Sequence, residues 1–261
     1  EEVALMLMTE NTLAIDGANI GHWQERVDLA AALRWTARLN MHEAVVNHFS
    51  LATNDEGTQF LMNPVGKHFS RVCATDLMLF DAQDNETMNA PNAPDPAAWG
   101  LHGALHRLCP QAKCAMHAHP IWSTVLASLK DSRLLPVDQN TATFFDRYVI
   151  DDGFGGLVTG DEGERCASLM SDTKKKIMIM GNHGILVVGD TVAETFNRLY
   201  YFERAAETYI RALQTGQRLR VMSDDLAEKT AGEMEEYPHL AVSYLEEIKA
   251  ILNDENSNYA S

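Results

Sequence analysis

The chain has 261 residues, of which 46% are hydrophobic, and this is enough for one α/β domain with a substantial core. Its 37 acidic residues outnumber 21 basic ones, and the net charge of −16 argues against nucleic acid or anionic lipid as a partner. The four cysteines form no Cys-x-x-Cys pair, so we expect reduced, mostly buried thiols. No apolar run reaches the roughly 18 residues of a membrane span, and the first residues are acidic where a secretory signal is basic. These features predict a cytoplasmic protein.

Hairpin and helix signals alternate in the first half of the chain. Asp28 precedes apolar residues at helical spacing, and Asp95-Pro96 has the pattern of a helix start that Pro110 closes. An Asn-Asp-Glu-Gly turn that ends at Gly57 separates two short apolar runs and predicts a β-hairpin. The predicted elements are helices at 28–39 and 95–109, and strands at 48–53, 59–62 and 76–80.

The second half is predicted to add strands and three more helices. Thr191 and Glu194 have the spacing of a capping box, and Gly216 is typical of a helix stop. The predicted elements are an extended run at 113–119, helices at 121–129, 191–213 and 239–252, strands at 177–180 and 185–188, and a frayed tail at 253–261. We interpret 1–24 as an N-terminal extension, 25–220 as one α/β domain with a mixed sheet covered by helices, and 221–261 as a C-terminal helical extension and tail.

The His117-Ala-His119 segment is the sharpest local signal. Alternate side chains of an extended segment project to the same face about 6 to 7 Å apart, so two imidazoles can share one cation. His183, in an Asn-His-Gly turn between two predicted strands, is well placed to be a third ligand. Three neutral imidazoles suit Zn²⁺ best, with Mn²⁺, Fe²⁺ and Co²⁺ left open. The alternative is a set of hydrogen-bonded core histidines.

Five short motifs together resemble the class II aldolase/adducin family. The motifs are Asn47-His-Phe-Ser50, Met62-Asn-Pro-Val-Gly66, Leu101-His-Gly-Ala-Leu-His106, Met116-His-Ala-His-Pro120 and Gly181-Asn-His-Gly-Ile-Leu186. They stand in the family's order and spacing over about residues 28–215. The resemblance implies a three-layer α/β/α fold and a homotetramer with active sites near subunit contacts. It also implies a divalent cation bound by the two histidines of the fourth motif and the one of the fifth.

One departure from the family pattern bears on the chemistry. Family aldolases carry Ser-Ser-Glu before the first helix histidine, and its Glu binds metal and moves protons, whereas this chain has Pro96, Ala97 and Ala98. The sequence thus resembles an adducin-head-like bacterial subgroup that lacks this motif. His102 and His106 follow Ala98 on the same helix face, and we predict them as catalytic residues. A structural role for His102 is the alternative.

The substrate-binding residues predicted by the resemblance are Asn47, Ser50, Asn63, Gly66 and Lys67. The alternatives are ordinary turn capping for the first two and a solvated surface lysine for the last. Loss of both serines of Ser-Ser-Glu removes hydroxyls that help to hold a phosphate, which favours an unphosphorylated substrate.

Three functions follow from this pattern. The first is a metal-dependent carbon–carbon lyase that cleaves a small hydroxy or keto acid in an aldolase-type reaction through a metal-stabilised enolate. The second is a decarboxylase of a hydroxylated aromatic or heteroaromatic acid, which the missing Glu favours because decarboxylation needs no base at a substrate hydroxyl. The third belongs to another class, a non-catalytic scaffold protein resembling the adducin head. A tightly bound metal would favour either enzyme over the scaffold.

Overall fold

The computed structural model describes residues 20–84, 86–153 and 162–261. Most of the proposed N-terminal extension lies outside these ranges. The helices are α1 (Trp23–Arg38), α2 (Pro96–Leu108), α3 (Ile121–Ala127), α4 (Gln139–Thr143), α5 (Glu162–Leu169), α6 (Val192–Gln214), α7 (Asp224–Glu235) and α8 (Pro238–Asp254). The strands are β1 (His48–Ala52), β2 (Gln59–Met62), β3 (Met78–Asp81), β4 (Cys114–Ala118), β5 (Tyr148–Asp151), β6 (Ile177–Met180) and β7 (Gly184–Gly189).

The strands form one seven-stranded sheet in the order β3-β2-β1-β4-β7-β6-β5. The pair β5–β6 is parallel, and every other described pair is antiparallel. This confirms the predicted mixed, largely antiparallel sheet. β1 and β4 lie side by side at the centre, with the Cα of His48 opposite that of His117.

Helices cover both faces of the sheet, as the three-layer prediction requires. Side chains alternate along β4, so Cys114, Met116 and Ala118 join the core beneath α1, α6 and α8, whereas Ala115 joins the core beneath α2 and α5. His117 lies on the same face as Ala115. The face covered by α2 and α5 therefore carries the histidines of the predicted site.

Local signals explain the elements that position this face. The carboxylate of Asp95 accepts hydrogen bonds from the backbone N–H groups of Ala97 and Ala98, and Pro96 occupies the first turn, so α2 begins where predicted. In the β1–β2 hairpin, Gly57 has φ +64°, which favours glycine. Both elements are confirmed.

Three details of the sequence interpretation are wrong. Helix α1 begins at Trp23, and Asp28 is an interior residue that pairs with Lys249 at 2.9 Å. The predicted capping box of α6 is only half present, because the Glu194 carboxylate accepts from Asp190 N. The tail is packed rather than frayed, since Tyr259 is only 2% exposed.

Two further observations concern the cysteines and the hydropathy of the helices. The cysteines are free thiols and all four are buried. Among the described residues, no helix combines the length and hydropathy that a membrane crossing needs.

Candidate metal centre

The three predicted metal-binding histidines come together at one end of the sheet. His117 lies in β4, His119 follows the end of that strand, and His183 lies in the turn between β6 and β7. One ligand nitrogen from each histidine lies within 4.8 Å of the other two. Two adjacent strand ends thus bring together residues more than 60 positions apart in sequence.

Hydrogen bonds define which ring nitrogens of His117 and His119 carry protons. His117 Nδ1 lies 3.0 Å from the carbonyl oxygen of Ile185, and His119 Nδ1 lies 2.5 Å from Glu43 Oε2. A carbonyl or carboxylate oxygen accepts, so each Nδ1 donates and each neutral ring leaves Nε2 unprotonated. The two Nε2 atoms face each other at 3.0 Å, so two neutral rings would bring their lone pairs into contact. A cation between them fits this arrangement, and ligating histidines commonly donate their other N–H to such oxygens.

Electrostatics also favour neutral imidazoles. Burial lowers the pKa of His117 well below its ordinary value, and the neighbouring His48, His119 and His183 lower it further. Burial likewise lowers the pKa of His183, with a further contribution from His119. Neutral imidazole is the form that binds metals, so burial holds His117 and His183 in the form that a metal site would require.

The Asn182-His183-Gly184 turn is shaped for this site. Asn182 has φ 56°, a left-handed conformation that asparagine tolerates. At Gly184, an added Cβ would lie 2.5 Å from His119 Cδ2 and 2.7 Å from the carbonyl oxygen of Ala118. The glycine is therefore required for the turn to approach the ring of His119.

A buried carboxylate from α6 holds the segment that follows His119. Glu203 accepts hydrogen bonds from the backbone N–H of Trp122 at 2.9 Å, from that of Ser123 at 2.8 Å, and from the Ser123 hydroxyl at 2.7 Å. These bonds satisfy donors at the start of α3. They fix the direction of the backbone directly after His119.

A pocket lies along β1 and the start of α2, and one of its lining residues, His48, stacks on His117. Its walls are formed by Val45, Val46, Asn47, His48, Met62, Asn63, Val65, Gly66, Asp95 and Ala98. Three of the predicted substrate-binding residues, Asn47, Asn63 and Gly66, line it. Asn63 also braces the pocket, because its Oδ1 accepts from Phe49 N at 2.8 Å and its Nδ2 donates to the carbonyl oxygen of Asn47 at 3.2 Å.

The other two predicted substrate-binding residues lie elsewhere. Lys67 Nζ lies 2.6 Å from Asp76 Oδ1, so its charge is already paired. Ser50 is fully buried, and its hydroxyl contacts the rings of His102 and His106. Neither side chain is part of the pocket wall.

The two histidines predicted to be catalytic lie behind the pocket. His102 is 0% exposed and His106 is 7% exposed. His102 bonds Ser50 and His48, and His106 bonds Ser50 and the carbonyl oxygen of Ala112, so all four ring nitrogens are engaged. Both rings therefore hold neighbouring side chains, Ser50 and His48, in place.

Ala98 lines the pocket at the position where the family pattern has Glu, and its methyl group is 1% exposed. The nearby carboxylate of Asp95 also lines the pocket, but its Oδ1 caps α2. The α2 wall of the pocket thus holds no carboxyl group at the position of the family's acid/base.

Two residues of this region were missed by sequence reasoning. Glu43 orients His119, but it lies in an irregular segment where no spacing rule applies. His48 lines the pocket, and its alternation with Ser50 in a predicted strand was an available signal.

A second group of potential ligands has another explanation. Ligand atoms of Asp151, Glu162 and Cys166 lie within 4.8 Å of one another. The Arg165 guanidinium lies 2.6 Å from both carboxylates, so this group is an ion-pair network.

The chain is similar to known proteins in sequence and in fold. The family model described as class II aldolase and adducin N-terminal domain matches residues 27–210. A provisionally named aldolase class 2 protein of Caulobacter vibrioides is 30% identical over 78% of this chain and 79% of its own length. The decarboxylase NovR of Streptomyces niveus is 28% identical over 62% of this chain and 60% of its length. The crystal structure of an aldolase II superfamily protein from Pseudomonas syringae superposes with a TM-score of 0.81 at 24% identity, covering 94% of this chain and 98% of that one. The chain therefore belongs to the class II aldolase and adducin N-terminal domain family.

Proposed function

We propose that this protein is a metal-dependent carbon–carbon lyase acting on a small, unphosphorylated hydroxy or keto acid. The supporting observation is the pair of Nε2 atoms of His117 and His119, 3.0 Å apart, with both Nδ1 protons committed to oxygens. With His183, these residues would hold the ion. A divalent cation supplies Lewis-acid polarisation of substrate oxygens and stabilises the charge left when a carbon–carbon bond breaks.

Residues of the protein orient the proposed ligands and position the substrate. Glu43 and the carbonyl oxygen of Ile185 fix the rings of His119 and His117, and the asparagines of the pocket wall position the substrate beside them. The apolar side chains of Val45, Val46 and Val65 line the same pocket and are themselves exposed to solvent.

Decarboxylation is a second candidate reaction, and the environment of Ala98 favours it over aldol cleavage. Retro-aldol cleavage needs a base that removes a proton from a substrate hydroxyl. The family's Glu would supply that base, and Ala98 puts a buried methyl group there. Loss of CO₂ needs only a proton donor afterwards. The decarboxylase relative is consistent with this choice.

Metal content tests the centre directly. The purified protein is expected to carry one equivalent of metal per chain, measured by elemental analysis, and His117→Ala should lose it while keeping its circular dichroism spectrum. His239→Ala, a matched change at an exposed histidine, should retain the metal. A wild-type protein that folds but binds no divalent ion would contradict the proposal and favour the scaffold interpretation.

Product analysis tests the reaction. The zinc-loaded protein is incubated with hydroxy and keto acids, with the His117→Ala variant as blank, and both CO₂ and aldehyde are measured. CO₂ without aldehyde indicates decarboxylation, and aldehyde indicates aldol cleavage. Release of neither product across aliphatic and aromatic acids would count against a lyase.

Three finer features belong to the same proposal. We propose zinc as the ion because three neutral imidazoles suit it. We propose a homotetramer because the family resemblance implies one. Light scattering of the protein as it elutes from a size-exclusion column measures the mass of the assembly and tests this. A cytoplasmic location agrees with four free, buried thiols, which persist in a reducing compartment.

A further inference from the structure

A line of hydrogen bonds runs from the backbone beneath α2 to the pocket wall. It starts at the carbonyl oxygen of Ala112, passes through the side chains of His106, Ser50 and His102, and ends at His48. We call these four side chains the imidazole relay. The distances are 2.6 Å from His106 Nδ1 to the carbonyl oxygen, 2.7 Å from His106 Nε2 to Ser50 Oγ, and 2.7 Å from His102 Nε2 to His48 Nδ1. Ser50 Oγ also bonds His102 Nδ1.

The starting point sets the direction of the first bonds. A carbonyl oxygen can only accept, so His106 Nδ1 carries a hydrogen and donates to Ala112. A neutral imidazole has one N–H, which leaves His106 Nε2 as an acceptor. Ser50 has a single hydroxyl hydrogen, and it must point to His106.

The same reasoning gives the direction of the hydrogen bonds from Ser50 to His48. Because the Ser50 hydrogen is used, its oxygen accepts from His102 Nδ1. His102 Nε2 is then an acceptor, and it receives the hydrogen of His48 Nδ1. His48 Nε2 remains without a hydrogen. One backbone carbonyl thereby dictates the tautomer of a side chain four hydrogen bonds away.

These bond directions hold for neutral rings, and burial favours the neutral form. The rings of His102 and His106 are almost completely inaccessible to water. Burial lowers the pKa of His102 well below its ordinary value, with further lowering by His48 and His106. Burial also lowers the pKa of His106 to about 4.

The last nitrogen of the relay is His48 Nε2. His48 lines the pocket, and its ring stacks on that of His117 with centroids 4.8 Å apart and an interplanar angle of 29°. Its Nδ1 is used by His102, and no hydrogen bond joins His48 Nε2 to any residue within the described ranges. The pocket therefore contains a hydrogen-bond acceptor beside the metal centre.

We propose that His48 is a substrate-binding residue whose Nε2 is held as a hydrogen-bond acceptor by the imidazole relay, and that it selects a substrate hydroxyl. This rests on the proposed function, because it places the hydroxyl of that hydroxy acid. Ser50, His102 and His106 are positioning residues that act through His48.

The lone pair of His48 Nε2 limits which chemical group of a substrate can face this residue. A lone pair attracts a hydroxyl hydrogen and repels the oxygens of a phosphate or carboxylate. The acid group of the substrate is then directed elsewhere, and the hydroxyl faces β1. This explains, from the chain's own hydrogen bonds, why the pocket suits an unphosphorylated ligand.

Nitrogen NMR of the metal-free protein tests the relay without any activity measurement. Histidine is labelled with ¹⁵N, and long-range proton–nitrogen correlations identify which nitrogen of each ring carries hydrogen. We expect the Nδ1–H form for His48, His102 and His106. A His48 that shows Nε2–H, or a mixture of the two forms, would overturn the relay.

Substitution of the hydroxyl provides the specific control. Ser50→Ala breaks the line between His106 and His102, so His48 should change from one tautomer to a mixture, and Ser50→Thr should restore the single form. Ser132→Ala removes another buried hydroxyl outside the relay and should leave His48 unchanged. If Ser50→Ala folds and keeps the single tautomer, the relay does not control His48.

Two small probes test the contact with substrate. Phenol added to the zinc-loaded protein should shift the His48 Nε2 resonance, because it donates a hydrogen bond, while inorganic phosphate should not. A shift of the His48 Nε2 resonance with phosphate alone, or with neither compound, would contradict the proposal that His48 recognises a hydroxyl. Zinc content measured on the same samples separates this failure from failure of the metal centre.

Discussion

Glu43 offers a way to weaken the metal centre without changing any proposed ligand. Its Oε2 lies 2.5 Å from His119 Nδ1 and keeps the hydrogen of that ring on Nδ1, so that Nε2 stays available. Glu43→Ala removes both the charge and the acceptor. Glu43→Gln removes the charge and keeps an acceptor. The two variants thus separate charge from orientation.

The structure sets the size of the expected effect. Loss of an oriented partner of a ligating histidine weakens metal affinity by about 10- to 100-fold. The side chain of Glu43 is 62% exposed, so water screens the charge and can replace part of the lost bond. We therefore expect the lower end for Glu43→Ala, about 10-fold, which corresponds to about 1.4 kcal/mol. Glu43→Gln should lose about 3-fold, since its amide oxygen still accepts.

A competition titration with a fluorescent zinc chelator at neutral pH measures these affinities. Glu56→Ala, an exposed glutamate in the β1–β2 turn, is the matched control and should bind zinc as the wild type does. Equal zinc affinities for the wild type and Glu43→Ala would refute the reasoning, because His119 would then need no orientation by this carboxylate.

Three further outcomes are expected. Burial lowers the pKa of His106 from 6.5 to about 4, so the unfolded chain takes up this proton first as pH falls. The neutral His106 should therefore contribute about 3 kcal/mol to the free energy of unfolding above pH 6.5, and this contribution should be lost as the pH falls toward 4. In urea titrations of the metal-free protein, the free energy of unfolding of His106→Gln should depend less steeply on pH than that of the wild type. Gly184→Ala should weaken zinc affinity by about 10-fold or more, because its Cβ would meet His119, whereas Gly232→Ala, with open space around it, should not. Glu203→Ala should lose about 2 to 3 kcal/mol of stability, since it leaves buried donors of α3 without an acceptor; unchanged urea midpoints would contradict this role.

Local regularities explain what was predictable from sequence. A strand places alternate side chains on one face, so the pair His117 and His119 could be recognised without a structure. Helix α2 could be placed because an aspartate followed by a proline meets the needs of a helix start. Helix α7 was missed because it is largely polar, and it buries only Ala227 and Ala231. Its apolar signal is too sparse for a periodic pattern to appear.

The sequence by itself determined the three histidines, the family and the replacement of an acidic residue by Ala98, because each is carried by a short motif. Only the tertiary structure decided what surrounds them. It brought Glu43 to His119 across 76 positions, and it joined His102 to His48 across 54. Hydrogen-bond direction depends on which donor meets which acceptor, and a sequence does not specify that meeting until the chain has folded. The three-histidine cluster was therefore visible in the sequence, and the hydrogen-bond polarity of the pocket beside it was not.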